Sequence, residues 1–294
     1  MSKVGCDKMT LKEKLIDFMM DDPKTLESIY NEFPDTKPST LRGRLNENVG
    51  KAFHRISKGI YVARRGDATA VIIEGDAWEK IKDIESNSVD TIITDSPYSC
   101  LDKHYQVGST RQRNLNKSVG FKTQDIDKEL LMQMKRILKD GGHLFSFLPP
   151  DSADTLNYNN HFIQIAQDEG LVFNKRWIWD KQVIGMGYNG RNRYEQIVFL
   201  SKGKRRMPYD LSIPDVLSHK RIAAHNRIHD AEKPIDLILD ILKFSNQKGD
   251  FVVDMFAGSL VLAEAGLQRG VNTLCIELDG AMIEKAIQRR GLEC

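Results

Sequence analysis

The period of the apolar positions changes once along this chain, near residue 67. Ahead of it the pattern is helical. In "LKEKLIDFMM", Leu11, Leu15, Ile16 and Met19 recur at the spacing of one helix face. "TLESIYNEF" puts Leu26, Ile29, Tyr30 and Phe33 on a second such face, which Pro34 ends. "PSTLRGRLNEN" predicts a third helix with Ser39 as its N-cap and Leu41 and Leu45 turned inward. "AFHRISKGIYVARR" then reads as two short strands about Lys58-Gly59. Beyond Asp67 the apolar runs shorten to strand length. They are "ATAVIIEGD", "SVDTIITDSPY", "GHLFSFLPP", "KRWIWDK", "EQIVFLSKG", "GDFVVDMFAG" and "NTLCIELD". Helical stretches such as "DKELLMQMKRILKDGG" and "KPIDLILDILKFSNQKG" separate several of them. Strand and helix in alternation predict an α/β fold, a mostly parallel sheet of about seven strands with helices on both faces. Ligands of such a sheet bind at the carboxyl ends of its strands.

Composition adds little to this picture until charge is mapped. The 294 residues carry a formal net charge of only +2. Residues 37–65, however, hold eight Lys and Arg against Glu47 alone, residues 103–122 hold five and no acid, and residues 202–227 hold seven against Asp210 and Asp215. Basic clusters in a near-neutral protein point to a polyanion at particular faces. The apolar runs are too short for a membrane span, and the first ten residues lack the apolar core of a signal peptide. Cys6, Cys100, Cys275 and Cys294 are scattered without metal-ligand spacing, as are His104, His219, His225 and His229. These features predict a cytoplasmic, nucleoid-associated protein with reduced thiols, no metal and no membrane partner.

The three N-terminal helices and the basic hairpin resemble a winged helix-turn-helix, which sets one domain at residues 1–66 and another at 67–294. "KPSTLRGRL" stands where that family has its recognition helix and "FHRISKGIYV" where it has its wing. Arg42, Arg44 and Lys58 are then candidate DNA contacts. Winged helices also dock proteins, and the positive balance of this segment favours DNA.

Three strand ends carry candidate chemistry. "VVDMFAGS" is a strand, an acid and a glycine turn leading into the helical "LVLAEAGLQRG", the form of a nucleoside-binding corner. Glu277 ends the next strand about twenty residues after Asp254, where an acid suits ribose hydroxyls. This pair fits a dinucleotide or S-adenosyl-L-methionine equally well. The third end, "TDSPY", joins a carboxylate, a proline and an aromatic ring.

From residue 70 to 290 the chain resembles the β class of DNA amino-methyltransferases, whose signature strand end is Asp-Pro-Pro-Tyr. "LKDGGHLFSF", "WDKQVIGMGYNGRNRYEQIVFLSKGK" and "HDAEKPIDLILDILKFSNQKGDFVVDMFAGS" match further segments of that class in its own permuted order, the catalytic tetrad ahead of the cofactor corner. The resemblance implies a Rossmann-like fold, S-adenosyl-L-methionine as cofactor, and methyl transfer to an exocyclic amine of a base rotated out of double-stranded DNA. It assigns Asp95 and the Ser96 carbonyl as acceptors for the amine, and Tyr98 as the ring that stacks on the base. Pro97 keeps Ser96 extended, because a residue before proline avoids the helical region. Asp76, Lys233, Asp254, Phe256, Gly258 and Glu277 fall at cofactor positions. Asp76 is equally an ordinary acid in a strand-to-helix turn, and Lys233 either meets the methionine end or orients a helix. Loops near 99–125 and 204–228 fall where the target is contacted, with Arg111, Arg113, Arg191 and Arg193 as candidate phosphate contacts. Trp177 and Trp179 read as core aromatics.

Adenine N6 is the expected target, and cytosine N4 stays open. The class implies a homodimer and a cognate restriction endonuclease as candidate partners. One departure bears on activity. The class runs F-x-G-S-G-T-T through the cofactor turn, whereas this chain reads Phe256-Ala-Gly-Ser-Leu-Val-Leu262, with Leu260 at the second glycine. A DNA-binding regulator on a degenerate methyltransferase fold, and an RNA methyltransferase with the same tetrad, are therefore the competing readings.

Overall fold

The computed structural model describes residues 9–19, 24–48, 53–57, 60–63, 68–97, 125–153, 155–185, 190–229 and 231–292. Tyr98, Lys58, Arg111, Arg113 and nearly all of the 99–125 loop lie outside the described residues.

The N-terminal unit has the expected order. Helices α1 (Leu11–Phe18), α2 (Leu26–Glu32) and α3 (Pro38–Asn48) precede strands β2 (Phe53–Ser57) and β3 (Ile60–Ala63). A two-residue strand β1 (Lys24–Thr25), which no pattern foretold, pairs antiparallel with β3. Leu15, Met19, Ile29, Leu41 and Leu45 are fully buried together, so the predicted apolar faces make one small core. A capping box between Thr10 and Glu13 starts α1, and Thr25 caps α2. At α3 the expectation fails by two residues. Pro38 is the first helical residue, and the Thr40 and Leu41 amides donate to the Lys37 carbonyl at 2.9 and 3.2 Å, so Ser39 lies inside the helix. Proline suits that position because the first helical N–H has no partner anyway.

The second unit holds an eight-stranded sheet, one strand more than the pattern predicted. Its strands are β4 (Ala70–Glu74), β5 (Val89–Thr94), β6 (Leu138–Leu148), β7 (Leu171–Asp180), β8 (Tyr194–Lys202), β9 (Val216–Ser218), β10 (Phe251–Asp254) and β11 (Asn272–Glu277). They lie in the order β4-β11-β10-β5-β6-β8-β7-β9. The first five neighbours run parallel, β8 is antiparallel to both β6 and β7, and β9 is parallel to β7. The extra strand is β9, three residues long and too short to carry a period of two.

Period-two alternation sends successive side chains to opposite faces of the sheet. On β6, Leu144 and Leu148 enter one core and Phe145 and Phe147 the other. Helices α4 (Ala77–Asp83), α5 (Lys128–Ile137) and α6 (Leu156–Asp168) cover the first face through Ile81, Leu130, Met134 and Phe162. Helices α7 (Ile235–Ser245), α8 (Val261–Arg269) and α9 (Gly280–Arg290) cover the second through Ile241, Leu262, Ala263 and Ile283. Trp177 and Trp179 sit in that second core at 3% and 1% exposure, the place expected of them. No helix among the described residues is long and apolar enough to cross a membrane.

Candidate active site

The carboxyl ends of four adjacent parallel strands, β4, β11, β10 and β5, open into one cavity of about 340 Å³. Asp76, Asp95, Ser96, Pro97, Lys233, Asp254, Phe256, Gly258 and Glu277 all line it. These are every described residue that the sequence assigned to catalysis or to the cofactor, brought from five separate stretches of chain.

Glycine and carboxylate shape the cofactor end. After Asp254 the chain turns through Gly258 at φ +46°, a left-handed conformation. A Cβ there would meet no protein atom within 4 Å, so the missing side chain leaves open space beside the cavity. The Gly258 amide donates to Glu277 Oε2 at 2.7 Å, and the Asp279 amide donates to Oε1 at 3.0 Å. Two backbone donors thus fix a carboxylate that keeps lone pairs for a diol. Asp76 faces the cavity and caps α4, accepting the Trp78 amide at 2.8 Å, as an acid in a strand-to-helix turn would. Trp78 and Phe256 meet edge to face, centroids 5.7 Å apart, and give the cavity an aromatic wall. An open glycine cradle, a fixed acid and an aromatic wall suit a nucleoside.

Leu260 stands where the resemblance has a glycine and adopts a conformation that glycine favours. It takes the left-handed conformation, φ 57° and ψ 30°, and buries its side chain completely in the second core. A non-glycine residue there costs about 1–2 kcal/mol, offset by the buried leucine. No side chain caps α8 at this point.

The catalytic end is built on buried charge. Asp95 Oδ2 contacts the Lys233 ammonium, which also reaches Glu195 Oε2 at 3.2 Å. Lys181 approaches Glu195 Oε1 at 3.4 Å. The Lys233 ammonium lies over the Phe147 and Trp179 rings at 4.9 and 5.8 Å. Lys233 was expected at the methionine end of the cofactor or orienting a helix. It meets the Asp95 carboxylate from the residue just before Pro234, the extended N-cap of α7. Burial pushes the Asp95 carboxyl above its ordinary range and Glu195 adds to the rise, Lys233 only partly opposing them. Burial would also raise Glu195, but Lys233 and Lys181 outweigh it and hold that carboxyl low. Between two acids, Lys233 is held above its usual range despite burial. Burial, with Asp95 nearby, pushes Asp254 up to about 7, although the Phe256 amide pulls the other way. Asp95 Oδ1 remains buried with no hydrogen-bond partner among the described residues.

Glu195 and Lys181 escaped the sequence reading. β8 runs antiparallel, so its first residues, not its last, reach the cavity edge beside the end of β7. The "RYEQIVF" segment was matched, and its acid at a strand start was the available signal.

The expected DNA contacts scatter. Arg42 is exposed but donates to the Tyr30 hydroxyl and lies 5.5 Å from that ring, and Arg44 pairs with Glu47 at 2.9 Å. Arg193 grips Asp180 with two bonds of 2.7 and 2.8 Å, which holds that carboxyl down at about 2, and Arg191 donates to the Gly185 carbonyl at 2.5 Å. The 204–228 segment divides. Arg206 binds Asp90, Thr91 and the Ser245 carbonyl at the amino edge of the sheet, away from the cavity. From β9 onward the chain returns to the cavity edge, where the His219 amide donates to the Asp180 carbonyl at 3.2 Å and the Arg221 amide to that of Lys181 at 3.0 Å.

Comparison with known proteins converges on this geometry. The family model described as DNA methylase matches residues 89–288. Type II methyltransferase M.HpaI of Haemophilus parainfluenzae is 28% identical over 247 residues, 76% of this chain and 74% of its own length. DNA adenine methyltransferase YhdJ of Escherichia coli is 23% identical over 266 residues, 79% of this chain and 86% of its own. Among solved structures, the M1.HpyAVI–SAM complex superposes with a TM-score of 0.54 at 20% identity, covering 76% of this chain and all of that one. The cytosine-N4-specific PvuII DNA methyltransferase superposes with a TM-score of 0.57 at 13% identity, covering 78% and 90%. These two neighbours share the fold. With the family model running from the strand that ends in Asp95 to the helix that follows Glu277, this chain belongs to the DNA methylase family of N6-adenine and N4-cytosine methyltransferases.

Proposed function

We propose that the protein transfers a methyl group to the exocyclic amine of a base in double-stranded DNA, with adenine N6 as the target. The cofactor is S-adenosyl-L-methionine, held by Glu277, Gly258, Asp76 and Phe256, and its sulfonium supplies an electrophilic methyl group when bound. The observation that carries the reading is Asp95 Oδ1, a buried acceptor without a partner among the described residues, in the cavity that Gly258 and Glu277 line.

An exocyclic amine of adenine or cytosine is a weak nucleophile because its lone pair is delocalised into the ring. Asp95 Oδ1 accepts one N–H and the Ser96 carbonyl accepts the other. Together they draw the nitrogen toward tetrahedral geometry and free its lone pair. Asp95 must be ionised to accept, and the Lys233 ammonium on its second oxygen favours that state. Positioning and fixed charge then supply much of the rate. Tyr98 is proposed to stack on the base once it leaves the duplex. The N-terminal unit is proposed as a winged helix that adds DNA affinity through the exposed Arg42 and Arg44. A homodimer and a partner endonuclease belong to the same proposal.

The left-handed Leu260 favours an enzyme over a degenerate regulator, because the turn keeps the backbone course that glycine would give it. The test is methyl transfer from labelled S-adenosyl-L-methionine to unmodified genomic DNA, followed by nucleoside analysis. N6-methyladenine formed by the natural protein and abolished by Asp95→Ala is expected. N4-methylcytosine would overturn the choice of base. Tight DNA binding without transfer would overturn the enzyme, and transfer to structured RNA in preference to duplex DNA would overturn the substrate.

A further inference from the structure

The last turn of α9 contacts two segments that line the cavity. Arg290 has only 9% of its side chain exposed, yet it is nowhere near a surface role. Its guanidinium donates to the Ser259 carbonyl, to the Ser259 hydroxyl at 3.2 Å, to Glu264 Oε2 on α8, and to Glu232 Oε1 at 2.6 Å. Ser259 follows Gly258 in the cofactor turn, and Glu232 precedes Lys233. Both line the cavity. Glu232 is itself 6% exposed and also accepts the Ile228 amide at 2.6 Å, so it is fixed at both oxygens. Two more bonds tie the same loop to the same helix, from Lys285 to the Ile228 carbonyl at 3.0 Å and from Arg289 to the Asn226 carbonyl at 3.3 Å.

We infer that Arg290 is a positioning residue that holds the cofactor turn and the Lys233 loop as one body, and so sets the affinity for the cofactor. The inference rests on the functional reading above. The turn needs an outside hold. Leu260 begins α8 without a side-chain cap and in a left-handed conformation, so no side chain of the turn itself holds the Ser259 carbonyl at that helix start. A guanidinium is suited to the task, since its rigid fork of five donors can serve a carbonyl, a hydroxyl and two carboxylates at once. Both carboxylates are largely buried, which makes the contacts charge-assisted and poorly replaced by water. Through Glu232 the same clamp reaches the backbone that aims Lys233 at Asp95. The cofactor turn and the loop before Lys233 thus share one support, while Lys233 keeps its own bonds to Asp95 and Glu195.

The test measures cofactor binding by calorimetry and methyl-transfer kinetics for Arg290→Lys and Glu232→Gln, each with its thermal midpoint. Losing one or two charge-assisted bonds at the turn should raise both the Kd and the KM for S-adenosyl-L-methionine about tenfold in Arg290→Lys. Glu232→Gln, which keeps the shape and one acceptor, should raise them less. Turnover at saturating cofactor should move by less than about threefold, because the reacting groups are untouched. A folded Glu232→Gln variant with natural cofactor affinity would overturn the inference, as would a fall in turnover or in thermal midpoint with KM unchanged. Failure of the natural protein to bind the cofactor would refute the functional reading and the inference with it. Natural binding that neither variant alters would refute the inference alone.

Discussion

Replacing Lys233 by methionine keeps the length of the side chain and removes its charge from between two buried acids. The Lys233–Glu195 contact is 3.2 Å, which at an effective dielectric constant of about 20 is an attraction of about 5 kcal/mol. The Asp95 contact is at least as close. Desolvation of the ammonium takes back part of this, and breaking a buried pair by removing one partner typically costs about 3–5 kcal/mol. Asp95 is about one-fifth exposed, so the lower end applies. The carboxyl that burial already pushes up would then lose its principal opposing charge. A protonated Asp95 keeps only a weaker, neutral acceptor for the amine, so activity is lost as pH falls through its titration, and removing Lys233 moves that acid limb to higher pH. A penalty of about 3 kcal/mol on the ionised form moves that acid limb up by about two pH units, so turnover at pH values below the shifted limb falls by up to about a hundredfold and recovers above it. The assay is the pH profile of kcat for the natural protein and Lys233→Met, with the thermal midpoint at each pH. Recovery at high pH separates lost ionisation from lost folding. An acid limb in the same place, with pH 7 turnover within threefold of the natural protein, would refute the electrostatic role of Lys233.

Two further substitutions probe the cofactor end. Gly258→Ala should cost about 1 kcal/mol of stability for its left-handed backbone, while the new methyl projects into open space and lowers cofactor affinity by far more than the midpoint shift suggests. Equal cofactor Kd values for the two proteins would contradict that. For Asp254→Asn the sign follows from proton counting. The folded carboxyl titrates near 7 and the unfolded one near 3.8, so between those values the folded state holds the extra proton and stability falls as pH rises. The full penalty, at most about 4 kcal/mol, is present above pH 7. Urea unfolding without cofactor should show Asp254→Asn losing less stability than the natural protein between pH 5 and pH 8, and parallel pH curves would disprove it.

Where a candidate residue stood at the carboxyl end of a parallel strand, its place at the cavity was legible in the sequence. "TDSPY", "VVDMFAGS" and "TLCIELD" each mark a local event, an apolar run broken by an acid, and parallel pairing brings the three breaks to one edge. Glu195 was hidden because reversal of β8 puts a strand's beginning at that edge, and direction is a property of the sheet; Lys181, just past the end of β7, matters only through Glu195. Arg206 looked like part of a DNA-facing segment, but Asp90, 116 residues away, claims it from the opposite edge. β9 was too short to show a period at all. Leu260 was misleading in a different way. Its identity suggested a damaged turn, while its dihedrals keep the glycine conformation and its side chain finds room in the core beneath.

The charge around the cavity follows from the same convergence of strand ends. Asp76, Asp95, Asp254, Glu277 and Asp279 face a space where Lys233 is the one lysine or arginine among the lining residues. Acids this close raise one another, as Asp95 and Glu277 both do to Asp254. Such crowding opposes folding when the site is empty and favours any cation that enters. A sulfonium cofactor carries its positive charge into that field and becomes a neutral thioether once the methyl group has left. The electrostatic attraction is therefore strongest before transfer and weakest after it, so the arrangement that destabilises the empty site also favours reactant over product in the pocket. Lys233 keeps this from going too far. One ammonium between Asp95 and Glu195 opposes the rise that burial imposes on Asp95, while the other lining acids have no lysine or arginine beside them in the cavity.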